Sequence, residues 1–325
     1  MDTASKKYQL QPNSHDSFHQ KVKEDIRDYA ISLGFAVCGF ARIERVDSIA
    51  TTRYAKWLHE GKHDEMQYLE RYLDIKEHPA LLLDGAKSII CVALNYFPQV
   101  FQSSEAPQFA YYAYGKDYHE VVRQKLLLLS QYITEHFEST SRVCVDTAPI
   151  RERYWAQKSG IGFVGRNNQL IIPGKGSYFF LGELVTTIEL PPDLPCTISC
   201  GDCGRCVTAC PVHALDEKTA LDARKCLSCL TIEHKGDLPE NVDFGNHLYG
   251  CDECQKACPH NNNASPSTVV EFQPSPQFLN LTYKDIKEMD NLHFNALFRH
   301  SAVKRAKLAM LQRTIGKLSH PTDKK

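Results

Sequence analysis

The sequence has no excess of charge of either sign and no long apolar run. Its 325 residues contain 38 Lys and Arg against 39 Asp and Glu, which leaves a net charge of −1. A global cationic field is therefore excluded, and any polyanionic partner must be met by a local patch. The longest apolar runs, such as 88–94 and 126–129, are far too short to cross a bilayer.

Signals for export are also lacking. Residues 1–17 are polar and have no apolar core of the kind found in secretory signals, and no twin-arginine pair occurs in the sequence. We therefore expect a cytoplasmic protein with no membrane segment. A hydrophobic content of 42% with 10% aromatic residues predicts an ordinary folded core. In a reducing compartment disulfides are disfavoured, so the thirteen cysteines indicate metal binding or redox chemistry.

These cysteines are unevenly distributed. Cys38, Cys91 and Cys144 stand singly in apolar stretches, which is typical of buried small hydrophobic residues. The other ten lie between Cys196 and Cys258. This asymmetry predicts two regions with different roles.

The strongest motif is a bacterial ferredoxin run, in which three closely spaced thiolates hold one cluster and the fourth, followed by proline, binds its neighbour. It reads Cys200-x2-Cys203-x2-Cys206-x3-Cys210-Pro211, and a second set follows as Cys226 and Cys251-x2-Cys254-x3-Cys258-Pro259. If each Cys-Pro cysteine crosses to the other cluster, one 4Fe-4S cluster is held by Cys200, Cys203, Cys206 and Cys258. The other is then held by Cys210, Cys226, Cys251 and Cys254.

Paired Cys-x2-Cys motifs also build zinc sites, so a pair of zinc ions is the alternative. Zinc ribbons rarely show three evenly spaced thiols before a Cys-Pro, and here that ending occurs twice. A brown protein indicates clusters, whereas a colourless one excludes them. Cys196 and Cys229 are left over, and we expect neither to be a ligand.

Hydrophobic patterns before the cysteines alternate between helix and strand, which indicates an α/β or α+β layer domain over about 18–190. The three prolines of 190–195 predict a hinge, and the cysteine-rich segment beyond it is expected to be organised around its metal centres. The predicted helices are 18–34, 49–60, 65–73, 118–137, 150–159 and 296–318. The predicted strands are 37–43, 87–96, 142–146, 169–172 and 178–189.

Two cofactor motifs are incomplete. Gly160-Ile-Gly-Phe-Val-Gly165 has the spacing of a dinucleotide fingerprint, but a polar, helical segment precedes it where a strand is required. Asp117-Tyr-His119 begins like the Asp-x-His-x-x-Gly cobalamin signature, but Val122 stands in place of the glycine. Neither nicotinamide binding nor cobalt ligation by His119 is therefore supported.

Four segments together resemble epoxyqueuosine reductase, and they occur in order over about 18–315. They are Tyr112-Ala-Tyr-Gly-Lys-Asp-Tyr-His119, Val145-Asp-Thr147, 156–167 and Leu248-Tyr-Gly-Cys-Asp-Glu-Cys-Gln255. The resemblance implies a cobalamin-dependent enzyme that removes the epoxide oxygen of epoxyqueuosine at the wobble position of tRNA, completing queuosine. It also implies an α+β fold. A nitroreductase-like, corrinoid-binding domain (18–190) follows a polar tail (1–17) and precedes a ferredoxin-like two-cluster domain (191–265) and a helical, basic segment (266–325).

The resemblance further assigns roles to single residues. Asp146 matches the proton donor of the family, and without the resemblance it reads as the N-cap of a helix starting near Pro149. Ala110 stands where some members have cysteine, Lys76 where many have arginine, and Cys229 where an aromatic residue is common. The positions expected to contact cobalamin are Lys76, Ala110, Asp146, Leu170, Ile172, Ser228, Cys251 and Asp252.

A local basic patch is present near the end of the sequence. Residues 299–325 contain eight Lys or Arg against one acid, Asp323, and helical spacing would place several on one face. We expect Lys304, Arg305 and Lys307 to contact tRNA, although a solvated amphipathic helix has the same pattern. By resemblance the substrates are the tRNAs for Asp, Asn, His and Tyr, and electrons come from an external donor such as a flavodoxin or ferredoxin. We expect a monomer.

Two other functions remain open from the sequence. A corrinoid-dependent reductive dehalogenase would also use two clusters, but such enzymes usually carry an export signal and need no basic patch. A ferredoxin-like carrier with a docking domain would contain iron and sulfide without cobalt. Cobalt content and nucleoside products separate these possibilities.

Overall fold

The computed structural model describes residues 14–216 and 221–318. Most of the polar tail, together with Lys324 and Lys325, lies outside the described residues. No helix of these two ranges combines the length and the hydropathy needed to cross a bilayer. The described chain mixes helices with mainly antiparallel strands, in agreement with the predicted α+β class.

The strands of the described residues are β1 Val37–Arg42, β2 Ser88–Asn95, β3 Gln108–Phe109, β4 Ser141–Cys144, β5 Phe163–Val164, β6 Leu170–Ile171, β7 Phe179–Thr186 and β8 His247–Tyr249. The α-helices are α1 Ser14–Ser32, α2 Ser48–His59, α3 Leu73–Glu77, α4 Tyr118–Phe137, α5 Glu152–Lys158, α6 Arg205–Thr208, α7 Leu227–Ile232, α8 Glu253–Lys256, α9 Pro276–Leu279, α10 Tyr283–Glu288, α11 Asn291–Leu297 and α12 Lys307–Ile315. Short 3-10 helices occupy Gln67–Leu69, Pro79–Leu82, Tyr111–Ala113, Pro259–Asn261, Val270–Phe272 and Ala302–Arg305.

The central sheet is antiparallel, with the strand order β1-β2-β7-β4. Helices α1 and α4 cover one face, where Ile26, Val122 and Leu126 are fully buried. Helix α5 covers the other face through Trp155. Since β2 is covered on both sides, it needs no polar face, which explains its continuous apolar run.

Most predicted elements of the first half are confirmed to within a few residues. Helix α4 has the predicted bounds, because Asp117 caps it and its apolar side chains recur every three or four residues. The predicted helix over 65–73 is wrong. Only the turn Gln67–Leu69 forms there, since Tyr72 adopts a left-handed conformation (φ 56°). In addition, Lys76 Nζ donates hydrogen bonds to the carbonyl groups of Tyr68 and Leu69.

The predicted helical stretch over 296–318 is also divided. Helix α11 ends at Leu297, and a 3-10 turn, capped by the Ser301 side chain, precedes α12. Lys307, at the start of α12, has a left-handed φ of 59°. Lys304 and Lys307 therefore lie on two elements rather than on one helix face.

The segment 190–195, predicted as a hinge, is tied to the sheet. The Asp193 N–H donates to the Phe40 carbonyl of β1 at 2.8 Å, and the Asp193 carboxylate accepts from the Phe40 N–H at 3.0 Å. Lys23 and Arg27 of α1 form ion pairs with the same carboxylate at 2.6 and 2.9 Å. The chain thus enters the cysteine-rich segment from a fixed point.

The later elements share a core with the first half. Strand β3 pairs in parallel with β8, and a hydrophobic cluster joins Phe109 and Tyr114 to Tyr249, Phe298 and Leu311. Consequently the C-terminal helices hold residues 109–114 against the segment that carries Cys251.

The glycine-rich segment 160–165 has the order helix, turn and strand, the reverse of a dinucleotide-binding turn. Its glycines allow the short β5–β6 hairpin to fold closely. A Cβ on Gly162 would lie 2.5 Å from the Ile171 carbonyl oxygen, so no larger residue fits there.

Candidate active site

The first cysteine set converges on one cavity. Cys200, Cys203, Cys206 and Cys258 line it together with Arg166, Asn167, Ile171, Pro259 and His260. Cys258, the Cys-Pro cysteine of the second motif, thus lies beside the first three thiols, as the crossing arrangement requires. Within residues 14–216 and 221–318, no three His, Cys, Asp or Glu side chains are close enough to hold a single metal ion.

The second set lies next to the first. Cys210 and Cys206 share a small apolar cluster with Cys226 and Cys254. Burial, with smaller contributions from Asp252 and Cys226, raises the pKa of the Cys251 thiol to about 12. Burial likewise raises the pKa of the Cys254 thiol, and the nearby Cys251, Cys226 and Cys206 raise it further. These buried thiols are electrostatically coupled, so losing their protons together requires a cationic centre.

Cys196 and Cys229 have other surroundings. Cys196 packs near Cys200 and Cys258 in the cluster around Phe163. Cys229 is buried, with its sulfur 3.6 Å from a carboxylate oxygen of Asp64.

Asp146 follows strand β4 in a left-handed conformation with φ 45°. Its backbone N–H donates to Glu152 Oε1 at 2.7 Å, which fixes the turn. Its carboxylate lies 2.9 Å from His119 Nε2 and remains 43% exposed. A strained residue with an exposed functional group is typical of a catalytic position.

His119 bridges two carboxylates. Its Nδ1 lies 2.6 Å from Asp117, the N-cap residue of α4, and its ring stacks on Tyr118 with centroids 4.2 Å apart. Burial lowers the pKa of His119, but hydrogen bonds to Asp117 and Asp146 outweigh it and raise the value to about 9. Conversely, burial raises the pKa of Asp146, but the His119 hydrogen bond and charge bring it below its ordinary value. His119 therefore outweighs the effect of burial on the pKa of Asp146.

Two further carboxyl groups lie behind this turn. Glu183 of β7 is fully buried, and neither of its oxygens has a hydrogen-bond partner among the described residues. Burial raises its pKa well above the ordinary value, and the nearby Glu152 adds to the effect. Burial also raises the pKa of Glu152, to about 7. No sequence motif points to this pair, because it depends on the packing of α5 against β7.

Arg305 lies at the edge of the same site. It forms a bidentate ion pair with Glu233, both distances being 2.8 Å, and its guanidinium is 5.6 Å from the Tyr68 ring centroid. Its charge also helps to lower the pKa of Asp146, after the effects of burial, His119 and Tyr118. Lys304 and Lys307 are exposed nearby in the chain. The basic segment thus reaches toward Asp146 through Arg305.

The positions expected to contact cobalamin are only partly brought together. The Ala110 N–H donates to the Tyr249 carbonyl at 2.7 Å, and the Tyr111 N–H donates to Asp252 at 2.7 Å, which joins Ala110 to the Cys251–Asp252 turn. A Cβ on Gly250 would lie 2.6 Å from that of Ala110, so this junction is closely packed.

The remaining expected positions lie elsewhere. Leu170 and Ile172 are buried in the cluster around Trp155, and Lys76 Nζ is held by carbonyl oxygens at 2.7 and 3.1 Å. Ser228, in the first turn of α7, is half-buried. Of the expected contacts, Asp146 is therefore exposed, Ser228 and Cys251 are half-buried, and the others are buried.

Two families match separate parts of the chain. The family described as epoxyqueuosine reductase QueG, DUF1730, matches residues 76–147, and a 4Fe-4S double cluster binding domain matches residues 199–261. The second match covers all eight cysteines of the two sets. Fold and site thus define an iron–sulfur oxidoreductase.

Two similar proteins identify the family within this class of oxidoreductases. The epoxyqueuosine reductase of Cellulophaga algicola is 39% identical over 91% of this chain and 97% of its own length, and that of Leadbetterella byssophila is 38% identical over 90% and 96%. The chain belongs to the epoxyqueuosine reductase family.

Solved structures of the family share this fold. An epoxyqueuosine reductase bound to an epoxyqueuosine-modified stem loop of tyrosine tRNA superposes with a TM-score of 0.82 at 32% identity, covering 91% of this chain and 80% of that one. A Bacillus subtilis epoxyqueuosine reductase, with the same TM-score, identity and coverage, has its catalytic aspartate loop swung out of the active site.

Proposed function

We propose that this protein reduces epoxyqueuosine to queuosine at the wobble position of tRNA. It would use cobalamin and electrons relayed by two 4Fe-4S clusters, with Asp146 delivering a proton to the departing oxygen. The observation that carries the proposal is the pairing, in one chain of this family, of a double cluster domain with the strained, exposed Asp146. The relatives with a bound modified stem loop and a catalytic aspartate loop support it.

The cluster ligands follow from the cysteine positions. Cys200, Cys203, Cys206 and Cys258 would hold one cluster, and Cys210, Cys226, Cys251 and Cys254 the other. The adjacency of Cys206 to Cys254 supports an electron path from one set to the other. Cys251 of the second set adjoins the junction with Ala110, whereas the first set lies beside Arg166, Asn167 and Ile171. Both sets therefore lie against residues of the expected 18–190 domain.

Cobalamin fits the donor groups that the structure offers only in part. Asp146 and Ser228 present accessible polar side chains, and Cys251 follows the closely packed junction of Gly250 with Ala110. Ala110, Leu170, Ile172 and Asp252 would make contact through backbone atoms, and Lys76 would act by holding the turn at Tyr68 and Leu69. When bound, cobalamin supplies a strongly nucleophilic cobalt that accumulates electrons.

The protein's own part is to orient the nucleoside and to supply protons. Conversion of an epoxide to an alkene consumes two electrons and two protons and releases the oxygen as water. Asp146 can reach an incoming substrate because its carboxylate is exposed. Arg305, beside Asp146, would place the adjacent phosphates. The nitroreductase-like character of the first domain and the boundaries near 190 and 265 are further parts of this proposal.

The decisive experiment combines reconstituted protein, cobalamin, a chemical reductant and tRNA containing epoxyqueuosine. Nucleoside analysis should show queuosine appearing and epoxyqueuosine disappearing in proportion. Reactions without cobalamin and with unmodified tRNA are the controls. Persistence of epoxyqueuosine in the complete reaction, with both clusters intact and cobalamin bound, would contradict the proposal.

A further inference from the structure

Three side chains form a continuous row at the end of β4 and the start of α4. Asp117 lies 2.6 Å from His119 Nδ1, and His119 Nε2 lies 2.9 Å from Asp146. The His119 ring is 33% exposed, so one edge of the row reaches solvent. In the sequence, His119 ends a segment of the family resemblance and belongs to an incomplete cobalamin signature, neither of which gives it a role. The fold places it against the turn at Asp146.

The two short contacts require one proton more than two carboxylates and a neutral imidazole would carry. A neutral ring has a single N–H, so it can donate to one carboxylate but presents a lone pair to the other. Both short contacts are favourable only if both ring nitrogens carry protons or one carboxyl group is protonated. The extra proton is thus shared by the row, and the raised pKa of His119 agrees with its location on the imidazole.

The groups around the row also favour an ionised Asp146 and a protonated His119. Tyr118 stacks on the imidazole from α4 and also contacts Asp146. Arg305, from the 3-10 turn, favours ionised Asp146, although Glu233 holds and partly offsets its charge. Glu152, from α5, opposes a charge on Asp146 but itself has a raised pKa because it is buried.

An ionised carboxylate cannot act as an acid. We propose that His119 stores the proton that Asp146 passes to the departing epoxide oxygen, so that the two residues act as one acid. This inference rests on the proposed function. His119 acts through Asp146 and is therefore a positioning residue rather than a catalytic one.

The step balances as follows. The two carbon–oxygen bonds of the epoxide break, a carbon–carbon double bond forms, and two electrons arrive from the external donor through the clusters. The oxygen leaves as water after gaining two protons. One comes from Asp146, which takes its replacement from His119, and the second comes from solvent. Water then returns a proton to His119 through the exposed carboxylate of Asp146.

The test compares His119→Gln with the wild type. Glutamine retains a neutral donor that can hold the Asp146 turn, but it cannot store a proton. We expect kcat at pH 7 to fall about 100-fold, within the usual range for acid–base catalysis, while the KM for tRNA stays unchanged. The wild-type kcat should decline as the pH rises through about 9, and the variant should lack this limb. His136→Gln is the matched control, because His136 lies on the same helix but bonds only the Tyr132 carbonyl.

Histidine-labelled NMR provides a reading independent of turnover. The signal that disappears in His119→Gln should titrate near pH 9 in the wild type and at a lower pH in Asp146→Asn, where the hydrogen bond to Asp117 remains. Wild-type turnover combined with an unchanged kcat profile in His119→Gln overturns this inference and leaves the proposed function standing. A signal titrating near 6.5 in the wild type overturns it as well. Failure of the wild type to form queuosine instead overturns the proposed function and, with it, the relay.

Discussion

Glu183 places an acidic group in the middle of the central sheet. Its neighbours across the sheet are Cys91 on β2 and Cys144 on β4, so no cation or amide from these strands offsets a charge. Burial therefore raises the pKa of Glu183 well above its ordinary value and favours the protonated form. Such a group makes stability depend on pH, because the unfolded chain loses a proton that the folded chain keeps.

We predict that Glu183→Gln flattens this dependence. As the pH rises above about 4.5, the unfolded state ionises first, so the wild type loses stability up to the raised pKa of the folded state. The wild-type melting temperature should fall by several degrees between pH 5 and pH 8, while that of the variant changes by about half as much. Thermal unfolding across this range is the measurement. Glu288→Gln, at a carboxylate that is 68% exposed, should follow the wild type; equal slopes for Glu183→Gln and wild type would contradict the prediction.

A second prediction concerns Asp146. Asparagine tolerates the left-handed region well, so Asp146→Asn should keep the turn and both clusters. It cannot deliver a proton, and we expect turnover to fall at least about 100-fold with tRNA binding unchanged. Queuosine formation, iron content and a tRNA binding assay would be measured on the same preparation. Full turnover with intact clusters would remove Asp146 from the role of donor.

At the scale of elements, the sequence predicts those helices and strands whose formation depends on neighbouring residues. Helix α4 followed from its cap and apolar period, and β2 from its apolar run. The predicted helix over 65–73 does not form, because Lys76, which lies beyond the predicted range, hydrogen-bonds its carbonyl groups. Likewise, Asp146 was found through a motif, but its contact with His119 joins residues that only the packing of α4 beside β4 brings together.

The division of 296–318 gives its basic residues different surroundings. Lys304 and Lys307 are exposed on separate elements, whereas Arg305 is committed to Glu233. We predict that Lys304→Ala combined with Lys307→Ala raises the KM for tRNA, with kcat unchanged. If each lysine contacts a phosphate, the slope of log affinity against log salt should shrink by about 1.4–1.8.

The matched control for that pair is Lys284→Ala with Lys287→Ala, which removes two exposed lysines from α10. It should leave the salt slope unchanged. Arg305→Ala should in addition lower kcat, because Arg305 also acts on Asp146. An unaltered slope in the Lys304 and Lys307 variant would show that these lysines do not contact tRNA.

At the scale of the whole molecule, the described residues of the cysteine-rich segment form small apolar clusters of their own, centred on Cys206 and on Phe244. The folding of this segment should therefore depend on its iron–sulfur clusters. Cys258→Ser is expected to reduce iron to about half, since Cys258 would serve only one of two equal clusters. Iron and sulfide analysis, with limited proteolysis of the segment, would test this. Cys229→Ser is the control and should retain full iron; retention of full iron in Cys258→Ser would exclude Cys258 as a ligand.

The anchorage of Asp193 has a consequence for the rate of electron supply. Two cations of α1 and the backbone of β1 hold the chain where it leaves the sheet for the cysteines. Electron tunnelling slows steeply with distance, so a loosely tethered redox segment would deliver electrons in bursts set by its excursions. Under the proposed function, a segment held at Asp193 would keep a constant distance between the clusters and the reacting nucleoside. The rate of electron delivery would then depend on driving force rather than on diffusion of one part toward the other.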